Sequence, residues 1–136
     1  MTPIKLDNLT VEQLVERFTS ITLDQDRALR SSNHGRFNRL FDDMEAVKQE
    51  LKARDGDQRR ALLPLYDHPN LQVRLKAAKA TLAVAPETAL KLLRTIAESR
   101  EYPQAGEAGM SLDNLKDGMA FSSLPKPEQQ GQSNPS

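Results

Sequence analysis

The chain has 136 residues, no Cys or Trp, and 19 Lys/Arg against 19 Asp/Glu, so its formal charge is zero with neutral histidines. One domain is the natural expectation at this length, and a two-domain enzyme does not fit. Without Cys there is no disulfide framework, Cys-based zinc site, iron–sulfur cluster or thiol nucleophile, and the balanced charge argues against a dedicated nucleic-acid binder, whose affinity rests on cations neutralising phosphates. Apolar runs such as Ala83-Val84-Ala85 fall far short of the ~20 residues a membrane span needs. The N-terminal Met1-Thr2-Pro3-Ile4-Lys5 lacks the charged start and apolar stretch of a signal peptide. The expectation is a soluble, cytoplasmic protein.

In chain order the pattern is helical. Thr10 precedes Val11-Glu12-Gln13, so its hydroxyl can cap the first free amides while Gln13 reaches back, a capping box. Val11, Leu14, Val15, Phe18, Ile21, Ala28 and Leu29 then recur at helical steps, predicting a first helix to about residue 30. Ser31-Ser32-Asn33-His34-Gly35 is a breaker cluster. Phe37, Leu40, Phe41, Met44, Val47 and Leu51 share one stripe of a second long helix, which should form an antiparallel hairpin with the first. Asp55-Gly56-Asp57 interrupts the pattern, and Asp57 is a plausible cap for a short helix holding Ala61, Leu62, Leu65 and Tyr66, bent or shortened by Pro64. A turn at Asp67-His68-Pro69-Asn70 leads to Leu71, Val73, Leu75, Ala77, Ala78 and Leu82. Ala85-Pro86 divides this helix from the next, with Pro86 suited to a first helical position, followed by Ala89, Leu90, Leu92, Leu93, Ile96 and Ala97. Tyr102-Pro103 marks another boundary, and Ala105, Ala108, Gly109, Leu112 and Leu115 form a weaker last helix ending near Asp117-Gly118.

From Met119 onward the composition turns to Pro, Ser and Gln, with little apolar content to offset ordering entropy. The predicted organisation is an all-α domain over 1–118 and a flexible, disordered tail over 119–136. No alternating strand pattern lies between turn signals.

The stretch from Asp67-His68-Pro69-Asn70 through Val73-Arg74 and Ala77-Ala78 to Leu82 resembles the second half of a HEAT-type helical repeat. Small Ala77 and Ala78 would let helices approach closely, and Arg74 can bond turn carbonyls or Asp67. The segment from Ala85-Pro86-Glu87 to Leu93 resembles the outer helix of the next repeat, so the best match spans 57–117. Taken whole, the chain is similar to a family of small bacterial α-α superhelix proteins carrying a domain of unknown function with a HEAT- or armadillo-like fold. That resemblance implies a short right-handed superhelix of about three helical hairpins. It also suggests, by analogy, an immunity protein that neutralises a toxin. The inner helices would be 37–51, 71–82 and 105–115, lining a groove that binds a peptide or protein surface. The candidate contacts are Arg36, Arg39, Asp42, Asp43 and Glu45 on the second helix and Gln72, Lys76 and Lys79 on the fourth.

Catalytic chemistry has few footholds. His34 and His68 both sit in turns without a fixed partner, and no His lies at a helical step from Asp42 and Glu45 to complete a metal site. No Gly-rich phosphate loop or nucleophile elbow occurs. The expectation is a non-enzymatic protein without metal or cofactor, whose partner is another protein and not a membrane. The charge is uneven: residues 1–56 hold 9 Lys/Arg and 10 Asp/Glu, residues 57–102 hold 8 and 5, and residues 103–136 hold 2 and 4. Arg59, Arg60, Arg74, Lys76, Lys79, Lys91 and Arg94 therefore offer an alternative, nucleic-acid binding over 59–94, although only Tyr66 and Tyr102 are there to stack on bases. The Phe37, Phe41 and Met44 stripe is expected to be core, because an aromatic-poor protein needs its large side chains inside.

Overall fold

In the computed structural model, whose described residues are 5–122 with side chains described for 5–116, every regular element is helical. Helix α1 spans Val11–Arg30 and opens on the expected capping box: Gln13 N–H donates to Thr10 Oγ1 at 3.1 Å and Thr10 N–H donates to Gln13 Oε1 at 2.9 Å. Helix α2, His34–Ala53, begins earlier than the apolar stripe because Asn33 takes the cap, its Oδ1 accepting from Arg36 N–H at 3.1 Å. The tight connection between them uses Ser32 at φ 56°, and the two helices pack chiefly against each other. Arg54, just past α2, donates to the carbonyls of Leu6 and Leu9 at 3.1 and 2.8 Å and to Glu50 at 2.7 Å, tying the N-terminal segment to this pair.

The segment after the Asp55-Gly56-Asp57 interruption is a 3-10 helix over Gln58–Asp67, where the sequence suggested a short helix bent or shortened by Pro64. Pro64 sits inside it. In an α-helix the Pro64 ring would crowd the carbonyl four residues back and lack the amide that bonds it, which favours the tighter winding. Gly56 at φ 76° and Asp57 at φ 53° make the sharp entry, and the Asp57 carboxylate holds Arg59 at 2.6 Å. The Arg59 guanidinium beside Asp57 keeps that carboxyl below the ordinary carboxylate range.

Helix α3, Leu71–Thr81, is capped by Asn70, whose Oδ1 accepts from Gln72 and Val73 N–H at 2.9 and 3.2 Å. The turn before it is braced as its sequence suggested: Arg74 Nη1 donates to the His68 and Pro69 carbonyls at 2.8 and 3.0 Å. Helix α4, Pro86–Glu98, starts on Pro86 as expected. Helix α5, Gln104–Ser122, runs past the expected boundary at 118. Gly118 costs a helix only about 1 kcal/mol relative to Ala, and the Met119-Ala120-Phe121 run that follows is helix-compatible. The rest of the expected flexible segment, 123–136, lies outside the described residues.

Consecutive elements pair, α1 with α2, the 3-10 helix with α3, and α4 with α5. Helix α3 lies in the middle, packing on the 3-10 helix, α1, α4 and α5. Its surroundings explain its burial: Val73, Leu75, Ala77 and Ala78 are fully inside, and so are the polar Gln72 and Thr81. One apolar cluster joins Leu14, Phe18, Ile21, Met44, Val47, Leu51 and Leu62, and a second joins Leu75, Ala78, Leu93, Ile96 and Ala108. One expectation about the core fails. Met44 is buried, yet Phe41 keeps 40% of its surface exposed, because it lies at the edge of the stripe defined by Leu40, Met44, Val47 and Leu51.

Candidate functional site

The exposed Phe41 ring stands on a face shared by α2, α3 and α5. Helical spacing puts Phe41, Glu45 and Lys48 on one side of α2, and Lys76 and Lys79 one turn apart on α3. The Nζ of Lys76 lies 5.8 Å from the centroid of the Phe41 ring, within cation–π range. Lys76 and Lys79 both donate to Glu107 Oε2 from α5, at 2.5 and 2.9 Å. Lys48 pairs with Glu45 at 2.9 Å. Between α2 and α3 these side chains enclose a cavity of about 140 Å³, with apolar walls from Phe18, Phe41, Met44 and Ala80 and charged walls from Glu45, Lys48, Lys76 and Lys79.

Lys76 is the unusual member, being only 4% exposed. Burial pushes its ammonium below the ordinary lysine value, and the attraction of Glu107 recovers only part of that shift. Burial also pushes the Glu107 carboxyl upward, but the Lys76 charge and the two lysine N–H donors outweigh it and hold the carboxyl below its ordinary value. The site is a Lys76–Glu107–Lys79 ion-pair cluster next to an exposed aromatic ring.

The eight residues singled out from the sequence separate into groups. Lys76 and Lys79 meet at the cluster. Gln72 is 1% exposed and spends its amide inside the protein, donating to Gln25 Oε1 at 3.0 Å and accepting from Gln104 Nε2 at 3.0 Å. Asp43 is exposed but lines a groove with Arg17, Ser20 and Asp24 of α1, and the Arg36 guanidinium is 3.6 Å from Asp24, so these two belong to the α1 side of α2. Arg39 is exposed near the start of α2, away from the cluster. Asp42 is exposed, and Glu45 turns to Lys48 instead of sharing a cation with it.

Sequence reasoning missed Phe41 as a surface group, and Glu107, Gln25 and Gln104 altogether. The only local signal for Glu107 is that it is the acidic residue of the first turn of α5. His34 begins α2 and is exposed, while His68 Nδ1 accepts the Asn70 N–H at 3.0 Å. Among the described residues no group of three or more His, Asp or Glu is placed to hold a metal ion, and no helix is long and apolar enough to cross a membrane. Four of the eight basic residues of the middle region bond to the protein's own oxygens: Arg59 to Asp57, Arg74 to turn carbonyls, Lys76 and Lys79 to Glu107. Tyr66 is half-buried, and its hydroxyl lies 2.5 Å from Thr81 Oγ1.

Comparison with known proteins adds a family. The chain is similar to the crystal structure of the protein RPA1889 from Rhodopseudomonas palustris CGA009, with 52% sequence identity and a TM-score of 0.83, covering 91% of this chain and 100% of that one. No curated protein matches the chain. The family described as Domain of unknown function (DUF2019) matches residues 12–116, from the first turn of α1 into α5, and the chain belongs to that family.

Proposed function

We propose that the chain is a non-enzymatic protein-interaction module that receives a partner protein on the α2–α3–α5 face. The observation that supports this most directly is Phe41, a large aromatic side chain left 40% exposed beside a lysine-rimmed cavity in a protein with few aromatic residues. Aromatic anchors in partly enclosed pockets carry much of the energy in protein interfaces. The pairing of successive helices is in keeping with a short right-handed HEAT- or armadillo-like superhelix whose inner face is formed by α2, α3 and α5, acting in the cytoplasm. An immunity-like role, neutralising a toxin partner, is the specific form of this reading that the repeat resemblance suggests. Nucleic-acid binding is the weaker alternative, because Arg59, Arg74 and Lys76 of the 59–94 region are bonded to the protein's own oxygens, which leaves fewer cations to neutralise phosphates.

The test is affinity capture of the tagged protein from its native host. The wild-type chain should recover a stoichiometric partner, Phe41→Ala should lose it while keeping its helical circular-dichroism spectrum, and Asp43→Ala on the α1 side should retain it. Capture of no partner, or equal capture by Phe41→Ala, overturns the reading.

A further inference from the structure

At the cavity on the α2–α3–α5 face, ammonium groups outnumber the carboxylates that pair with them. Lys76 and Lys79 share the single carboxylate of Glu107, and Lys48 has Glu45, so the three ammonium groups that line the cavity pair with two carboxylates, of which Glu45 alone lines it. The surplus is accessible: Lys76 is almost wholly buried, but the Lys79 side chain is 36% exposed and that of Lys48 is 24% exposed. The cavity itself sets the size of what enters. At about 140 Å³, with Phe18, Phe41, Met44 and Ala80 on its walls, it has room for roughly one aliphatic or aromatic side chain. An engineered apolar cavity of about 150 Å³ holds a single benzene. Drug-sized and cofactor pockets run to roughly 300–1,000 Å³.

We propose that this face recognises an acidic protein segment, one that inserts a single apolar side chain between Phe41 and Ala80 and sets a neighbouring Asp or Glu carboxylate against Lys79 and Lys48. The inference rests on the interaction reading above and adds the chemistry of the partner. The incoming carboxylate makes the charges even, three ammonium groups to three carboxylates. A Lys or Arg in the same place would add to the surplus and be repelled. The apolar anchor supplies burial, and the carboxylate supplies orientation and a fast, salt-sensitive approach.

The experiment is selection of a displayed random peptide library on the immobilised full-length protein, followed by binding measurements with a synthetic peptide of the enriched sequence. Enriched sequences should place Asp or Glu within two residues of Leu, Ile, Met or Phe. The synthetic peptide should bind about tenfold more weakly to Lys79→Glu, to Lys48→Glu and to Phe41→Ala, an effect of about 1.4 kcal/mol, with unchanged affinity for Arg17→Glu on the α1 side. Using two lysine variants on different helices keeps the result readable if one of them folds poorly. Enrichment of basic or uncharged sequences, no enrichment at all, or equal binding by both lysine variants overturns the proposal. If the captured native partner is lost with Phe41→Ala but kept by both lysine variants, the acidic-anchor inference fails while the interaction reading stands; if Phe41→Ala also keeps it, both fail.

Discussion

The two apolar clusters among the described residues are made of different materials. Around α1 and α2 the interior is built from long side chains, with Leu14, Phe18, Met44, Leu51 and Leu62 interlocking. Around α3, α4 and α5 it relies on Leu75, Leu93 and Ile96 separated by the small Ala78 and Ala108, which allow the helices a closer approach. The seam between the clusters is α3, and along that seam the protein accepts buried polar groups, Gln72, Lys76 and Thr81. The contrast teaches where each region is vulnerable. The first is held by volume, the seam by completed hydrogen bonds and ion pairs.

Truncation should expose the difference most sharply. Phe18→Ala removes a fully buried ring from the first cluster and enlarges the adjoining cavity, and chemical denaturation should show a loss of about 3–5 kcal/mol. At the seam, Gln72→Leu keeps nearly the same volume but orphans the amide donor of Gln104 and the acceptor of Gln25, so the expected loss is about 2 kcal/mol. Equal losses for the two variants would show that polar and apolar regions do not differ in the way described. A loss near zero for Gln72→Leu would show that the amide row contributes nothing net.

The smallest effect is one of pH. Glu107 has a folded-state pKa below its ordinary value of 4.5, so the stability it supplies is complete above that value and is lost as the pH falls through the lower folded-state pKa. With its side chain 32% exposed, the contribution is about 1 kcal/mol. Thermal melts across this acidic range should show a steeper decline for the wild type than for Glu107→Gln, and parallel declines would remove Glu107 from the stabilising groups.

Much of the architecture is written in local signals. Thr10 with Gln13, Pro86 at a helix start, and Arg74 reaching back to the turn before its own helix all depend on residues a few positions apart, and each is found as read. Local pattern also placed Lys76 and Lys79 together, since a spacing of three puts them on adjoining turns. It could not reveal Glu107, whose pairing with Lys76 spans 31 positions and depends on how α5 packs across α3. Nor could it separate Gln72 from a solvated polar residue, because a glutamine that is buried against other glutamines has the same local spelling as one in water. Phe41 was misplaced for a related reason: periodicity marks the middle of an apolar stripe better than its margin. The 3-10 winding at 58–67 escaped because Pro64 argues against an α-helix without naming what replaces it.

The row of amides across α1, α3 and α5 has a direction. Gln104 donates to Gln72, Gln72 donates to Gln25, and Gln25 Nε2 ends on the sulfur of Met44 at 3.6 Å. A thioether offers no N–H, so the last amide has to present its NH₂ group there, and every earlier amide is oriented in turn. One sulfur atom in the wall of the lysine-rimmed cavity is thus the terminal acceptor of a chain that reaches to Gln104 on α5. Replacing Met44 with a side chain that donates would favour reversal of the whole row at once, since no single amide can turn alone without placing donor against donor or acceptor against acceptor.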